Sequence, residues 1–498
     1  MHTPQSGTLN IVKLSGGEYV YLGIAKGIEN AISGSEVAVP KYELSLNVDG
    51  VPIYSSKKTS AWPIQVTIDN IPHLCNKPFV TAIFYGPSKP DNLDFLNDTV
   101  DELQLLSKNG LGGKDVVIRN IICDAPARAL VKGTIQFNGL FGCDYCEARG
   151  VKDGGMLFLY EGIPRTDASF RAQTNPLHHK SVSPFVKLEQ IDMIKNFPID
   201  PMHNVDLGVT KRLLLTWKEG PLPTRLSQQH INRVSSFLEL SRQHIPSVFN
   251  RKPRSLNELK FWKATELRTF LMYVGPLALK QTLDAEKYCH FLSLSIAIRI
   301  LFSKQLLDEH GQFAKQLLVF FVQNARRIYG QRFLTYNTHC LLHLPVVAEF
   351  NNGLSNCTAY KYENNMQMIK KCVRGTGNPL IQICNRLSER SDFKKENQNP
   401  ARELKPNDCV LLRNGNFAAI HSVSKDGVLC EIFEKTSSLF TSPCDSRIVG
   451  IHKGLITNTE MSMQTVDAIK SLPLSIPLHL SDTTKTKEVA LITLLHTH

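Results

Sequence analysis

KDVVIRNIICDAPA, residues 114 to 127, is the stretch whose reading decides the fold. The apolar run VVIRNIIC is nearly continuous, the pattern of a strand buried on both faces. Asp124 closes that run, and Ala125-Pro126 follows it as a helix start. Ligand-bearing groups gather at the carboxyl ends of such strands. An aspartate before a helix is equally an N-cap, so both readings of Asp124 stand on local grounds.

Working upstream, YELSLNVDGVPIY (42–54) alternates apolar and polar residues and turns at Asp49-Gly50. Asp49 reads as a turn aspartate or as a second carboxylate at a strand end. SAWPIQVTIDN (60–70) and PFVTAIFYG (78–86) repeat the strand pattern. LNDTVDELQLLSKNG (96–110) then switches to helical period and closes at Asn109-Gly110. Three strands, a helix and a buried strand predict a mixed α/β fold.

Downstream, TKRLLLTWK (210–218), QQHINRVSSFLELSRQ (228–243), HFLSLSIAIRILFSKQLL (290–307) and FAKQLLVFFVQNARRIYG (313–330) carry apolar residues at helical spacing. They predict an all-helical block. YENNMQMIKKCVRG (362–375) is a further helix, with Glu363 in its first turn, where the helix dipole alone favours an acid. Residues 386–408 are charged and poor in apolar residues, as a linker is. Residues 409–460 read as short strands joined by Asn-Gly and Asp-Gly turns.

The 498 residues carry a net charge of +12, which favours polyanionic partners, nucleic acid first. No run of eighteen apolar residues occurs, so no membrane-spanning helix is expected. The N-terminus lacks the charged start and apolar core of a signal peptide. Twelve scattered cysteines point to a reducing compartment, with thiols buried or on metal.

Cys143-Asp144-Tyr145-Cys146 and the later pair His339 and His343 supply the ligand types of a tetrahedral structural zinc site. Each pair alone has bland readings, a redox motif or chance for the cysteines and satisfied core histidines for the other. Asp200 and His203, in IDPMH, form a metal pair or cap the helix that follows; the cap is favoured, with Asp200 kept as a rival catalytic acid. Two aspartates at strand ends and one helix glutamate matter together, because two hard divalent ions about 3.5–4 Å apart need carboxylates converging within about 4–8 Å.

NVDGVPIYSSKKTSAWPIQVTIDN (47–70), IICDAPARALVKGTIQFNGLFGCDYCEARG (121–150) and FPIDPMHNVDLGVTKRLLLTW (197–217) resemble the transposases of CACTA (En/Spm) elements and their animal relatives. FVTAIFYGPSKPDN (79–92), HCLLHLPVVAEF (339–350) and YENNMQMIKKCVRGTGNPLIQICNRL (362–387) continue the resemblance, which runs over residues 20 to 390 in one order. It implies an RNase H-like mixed sheet interrupted by an all-helical insertion, with a small C-terminal β domain beyond the family core. It also implies a catalytic triad of Asp49, Asp124 and Glu363 holding Mg²⁺ or Mn²⁺, and a structural Zn²⁺ on Cys143, Cys146, His339 and His343. Cleavage and strand transfer of double-stranded DNA, at element ends and target, would follow, by a homo-oligomer in the nucleus. Lys57, Lys58, Lys370, Lys371 and Arg374 are the expected phosphate contacts.

The expected parts are an N-terminal extension at 1–40, short for a family that carries an end-recognition region, so that either the start is truncated or end recognition is lost or placed elsewhere. The core follows at 41–164, the helical insertion at 165–337 and the end of the core at 338–385. A linker at 386–408, a β domain at 409–460 and a tail at 461–498 complete the chain. The rival expectations are a domesticated, non-catalytic DNA- or protein-binding module stabilised by zinc, and a metal-dependent nuclease without strand transfer.

Overall fold

A computed structural model describes residues 9–34, 38–54, 59–246, 249–375, 377–392, 404–405, 408–424, 427–433, 435–456, 461–478 and 487–495. The chain is mixed α/β, with a mixed sheet and many helices, and divides into two compact units. One contains residues 1–203 and 356–397; the other contains 204–355 and 398–498.

The first unit is built on a seven-stranded sheet. Its strands are β1 (Ile11–Leu14), β2 (Gly17–Tyr21), β3 (Lys41–Val48), β4 (Val51–Pro52), β5 (Ser60–Ile68), β6 (Phe79–Gly86) and β7 (Asp115–Ile122). The order is β1-β2-β6-β5-β3-β7, with β4 paired to β5. Every pairing is antiparallel except β3 with β7. Beyond β7, Ile121 donates to Asn196 O at 2.7 Å, and Cys123 bridges Ile199 in parallel, so residues 196–199 run along its outer side. The sequence reading assigned no element to the first forty residues; β1, β2 and the helix α1 (Ile24–Ile32) lie there and extend the sheet.

Alternation along β6 divides the apolar residues between two faces. Ile83 joins Val20, Ala61, Met366, Ile369, Leu380 and Ile383, so the helices Tyr360–Cys372 and Pro379–Asp392 cover one face. Phe84 points the other way and meets Phe95, 6.2 Å between ring centroids, just before α2 (Asn97–Asn109). Along β3, Ser45 and Asn47 are fully buried polar residues on the face of the Tyr360–Cys372 helix. They accept and donate there in place of water.

In the second unit the helix Ala285–Phe302 is almost wholly buried and runs beside the amphipathic helix Lys304–Tyr329. Ser303 caps the second helix by accepting from Leu306 N at 3.4 Å. The C-terminal strands form a five-stranded and a four-stranded sheet, with strands through residues 461–492 that the sequence reading left as a tail. Arg299, fully buried in the apolar helix, fastens these parts: it donates to Val449 O at 2.7 and 3.0 Å, to Met272 O at 2.9 Å and to Thr493 O at 3.0 Å. Among the described residues no helix is long and apolar enough to cross a membrane.

Candidate metal centre

The site lies at one rim of the sheet in the first unit, where parallel strands β3 and β7 end side by side. Asp49 follows β3 on the same parity as Ser45 and Asn47, which turns it toward the helix carrying Glu363. Its Oδ1 accepts from Gly50 N at 2.7 Å. Gly50 is required by close approach, since a Cβ there would sit 2.7 Å from the Trp62 ring. Asp124 ends β7 and caps α3 (Ala125–Val131), with Oδ1 accepting from Ala127 N at 2.7 Å. The N-cap reading of Asp124 is thus met, and the cap fixes the carboxylate at the rim where the strand ends.

Donor atoms of Asp49, Asp124 and His203 all lie within 4.8 Å of one another. Glu363 completes the group: its Oε1 is 3.6 Å from His203 Nε2, and its carboxyl is hydrogen-bonded to Asp49. The structure thus brings together the three acids singled out from sequence. Burial, then the charges of Asp124 and Glu363, push the Asp49 carboxyl well above the usual carboxylate range. Burial also raises Glu363, with His203 acting in the opposite sense. Crowded, desolvated carboxylates of this kind are relieved by a cation.

The capping reading of IDPMH accounts for Asp200 and misses His203. Asp200 is 2% exposed and accepts four bonds: Met202 N at 3.2 Å, His203 N at 3.1 Å, Ala359 N at 2.9 Å and His203 Nδ1 at 2.6 Å. Both its oxygens are taken up by these bonds, and it aims His203 Nε2 into the acidic group. Burial alone would lower the imidazole; the Asp200 hydrogen bond and the charges of Asp200, Asp124 and Asp49 overcome this and raise it to about 9. His203 in turn acts to lower both the Asp49 and the Glu363 carboxyls, against their burial. It is the second residue of a π-helical stretch, Met202–Thr210, a rare geometry that often marks functional positions.

A polar ladder sets Glu363 in register over the rim. Asn365 Nδ2 donates to Gln65 Oε1 at 2.7 Å, Gln65 Nε2 to Asn47 Oδ1 at 3.0 Å, and Asn47 Nδ2 to Ile122 O at 2.9 Å. The ladder thus ends two residues before Asp124. Tyr362 Oη adds bonds to Ser45 O at 3.1 Å and Thr67 Oγ1 at 2.9 Å, and Lys361 pairs with Asp69 at 2.8 Å. None of these positioning residues was expected from sequence, because polar residues alternating along a strand read as solvent-facing.

Each unit also carries a buried pair of zinc-type donors among the described residues, Cys143 and Cys146 in the first and His339 and His343 in the second. In the first unit the two thiol sulfurs are 3.6 Å apart; in the second the two imidazole Nε2 atoms are 3.2 Å apart. A regular tetrahedron with ordinary zinc bond lengths puts thiolates about 3.8 Å and imidazole nitrogens about 3.3 Å apart. Each half therefore has the edge length of such a site. Around the cysteines, Arg165 Nε donates to Cys143 O at 3.1 Å, while Asp144 pairs with Arg128 at 2.8 Å and with Lys132 at 3.8 Å. Arg128 also donates to Cys123 O at 3.4 Å and Pro198 O at 3.2 Å, the backbone leading into Asp124 and Asp200.

Of the expected phosphate contacts, Lys370, Lys371 and Arg374 lie in and just beyond the last turn of the Tyr360–Cys372 helix, with Lys371 and Arg374 exposed. Cations there also suit the helix dipole. Lys57 and Lys58 fall outside the described residues. No protein-family model matches the chain, and no curated protein sequence matches it.

Proposed function

We propose that this chain is a transposase-type enzyme of RNase H-like fold, which cleaves DNA and transfers the cut strand with the help of divalent metal ions. The observation that carries the reading is the convergence of Asp49, Asp124, Glu363 and His203 at the rim where two parallel strands end. The strand run β6-β5-β3-β7, three antiparallel strands and then a parallel one, supports the RNase H-like comparison, as does the helical segment lying between Asp124 and Glu363 in sequence.

Asp49, Asp124 and Glu363 would hold Mg²⁺ or Mn²⁺, hard cations suited to carboxylate oxygens, and His203 Nε2 would join them as a donor only on giving up its proton to the solvent. Bound metal supplies Lewis-acid stabilisation of the attacking and leaving oxygens of a phosphodiester. The chain's own contribution is positional. The Asp124 cap, the Asp200–His203 bond and the Asn365–Gln65–Asn47 ladder hold the donors in place before DNA arrives. Cys143, Cys146, His339 and His343 would share one structural zinc ion, whose binding energy would count as folding energy. Double-stranded DNA is the partner, and a nuclear homo-oligomer is the working form this reading entails.

The test is nicking of supercoiled plasmid in Mg²⁺ or Mn²⁺, by the wild-type chain and by Asp124→Ala. The expected outcome is loss of at least about 10³-fold in nicking with DNA affinity unchanged. Absence of cleavage in both would favour the non-catalytic binding module. Cleavage without joined products, when pre-cut ends are supplied, would leave a nuclease and remove strand transfer.

A further inference from the structure

Beyond the acidic rim, the Tyr360–Cys372 helix leads into a notch of about 170 Å³ formed with the Pro379–Asp392 helix. Lys371 and Arg374 line it from the first helix and the turn after it; Arg386 and Arg390, one helical turn apart, line it from the second. Glu389 is the one carboxylate among the lining residues, paired with Arg386 at 2.6 Å, so four cations face a single anion. Cys372 forms part of the wall, where burial raises its thiol while Arg390, Arg386 and Arg374 all act to lower it. Three guanidinium groups therefore bear on one point. The backbone presenting Arg374 is pinned, since Gln382 Oε1 accepts from Arg374 N and Gly375 N, each at 3.1 Å, and Gln382 Nε2 donates to Gly377 O at 2.9 Å.

Three observations decide what such a place can hold. Cations gathered at one point repel each other and are relieved by an anion. Guanidinium forks match the oxygens of a tetrahedral phosphate, several at a time. The volume is below the roughly 300–1,000 Å³ of sites that enclose a whole small molecule, so the ligand is a single oxyanion or one such group on something larger. Lys371 is eight residues beyond Glu363 on the same helix, about 12 Å at 1.5 Å per residue. That distance covers three to four nucleotide steps at about 3.4 Å along one strand.

We propose that Lys371, Arg374, Arg386 and Arg390 form a phosphate site that grips a phosphodiester of the DNA strand a few nucleotides from the acidic rim. The choice of DNA rests on the function proposed above; the phosphate chemistry does not.

The experiment measures binding of a 30-base-pair duplex to the full chain by fluorescence anisotropy across a salt series. Arg386→Gln/Arg390→Gln changes two exposed side chains, and its melting temperature checks the fold. The expected result is a fall of about 2 in the slope of log K against log salt, roughly 0.9 for each phosphate that the variant leaves unneutralised. Glu389→Gln, which removes the one carboxylate among the described lining residues, is expected to tighten binding. An unchanged slope in the double variant overturns the phosphodiester assignment. Calorimetric titration with inorganic phosphate separates the sources: binding lost in the double variant, with an unchanged DNA slope, assigns the notch to a free phosphate instead. A reduced slope in a chain that cleaves no DNA keeps the notch and rejects the enzyme. Cleavage with an unchanged slope does the reverse.

Discussion

Asp49 is buried beside two other carboxyls, and that burial, followed by their charges, holds its acid far above the ordinary range. Placing it there works against the metal-free fold, which is the usual cost of a site kept for function. Asp49→Asn keeps the acceptor for Gly50 N and removes the charge. Thermal melting in magnesium-free buffer is expected to show the variant more stable, by on the order of 1 kcal/mol, while plasmid nicking falls by about 10³-fold. A lower melting temperature with nicking intact would contradict this account of the residue. At this scale Asp124 was legible, because an aspartate closing an apolar run before Ala-Pro has few places to be. Glu363 was not legible from pattern, since an acid in a first helical turn is commonplace; the resemblance alone singled it out. His203 was underrated because Asp200 does cap the next helix, and a local cap gives no sign that a residue three positions on faces two distant strand ends.

Strands and helices carry information of a different kind. Strand patterning located β3, β5 and β6 and a continuous apolar run located β7, but alternation also misled, since Asn47 and Gln65 are fully buried under the Tyr360–Cys372 helix. The partner of Gln65 on that helix, Asn365, lies three hundred residues away, beyond any local pattern. Gln65→Leu breaks the ladder in the middle and leaves the Asn47 and Asn365 amides without that partner, a loss of about 1–3 kcal/mol in chemical denaturation. Nicking should fall further than stability explains, because Glu363 loses its register; full activity at saturating metal would argue against a positioning role. In the second unit, His290 Nε2 donates to Phe321 O at 2.9 Å and its ring stacks on Phe321 at 4.1 Å. Burial lowers this imidazole to about 4. The unfolded chain therefore binds more protons between about pH 4 and 6.5, so the contribution is whole above 6.5 and is lost as pH falls toward 4. Between pH 7 and 5 the wild type should lose about 2 kcal/mol more than His290→Gln, read from denaturant midpoints. Equal losses would contradict it.

For the molecule as a whole, the α/β order of the first unit could be read from sequence, and the grouping of the second could not. Residues 386–408 read as a charged linker, which suggests independence for the C-terminal strands. In the structure 386–392 end the Pro379–Asp392 helix, most of the rest lies outside the described residues, and Arg299 with its carbonyl partners groups the strands with the helical segment. A lone arginine in an apolar helix announces a buried role without naming its acceptors. The proposed zinc ion is also a property of the whole chain, because its ligands come from residues nearly two hundred positions apart. Elemental analysis of purified protein should find about one zinc per chain, the load of one four-ligand site. Cys146→Ser and His343→Ala should each abolish it. Zinc lost in the cysteine variant and retained in the histidine variant would exclude a shared ion. The central claim, that the rim of the sheet is built to hold divalent metal, is tested most directly by titrating the full chain with Mn²⁺ and following free ion by electron paramagnetic resonance. The account predicts saturable binding by the wild type and binding weakened at least about tenfold in Asp49→Asn/Asp124→Asn, the range seen when metal-site groups are removed. Equal binding by the two proteins would contradict it.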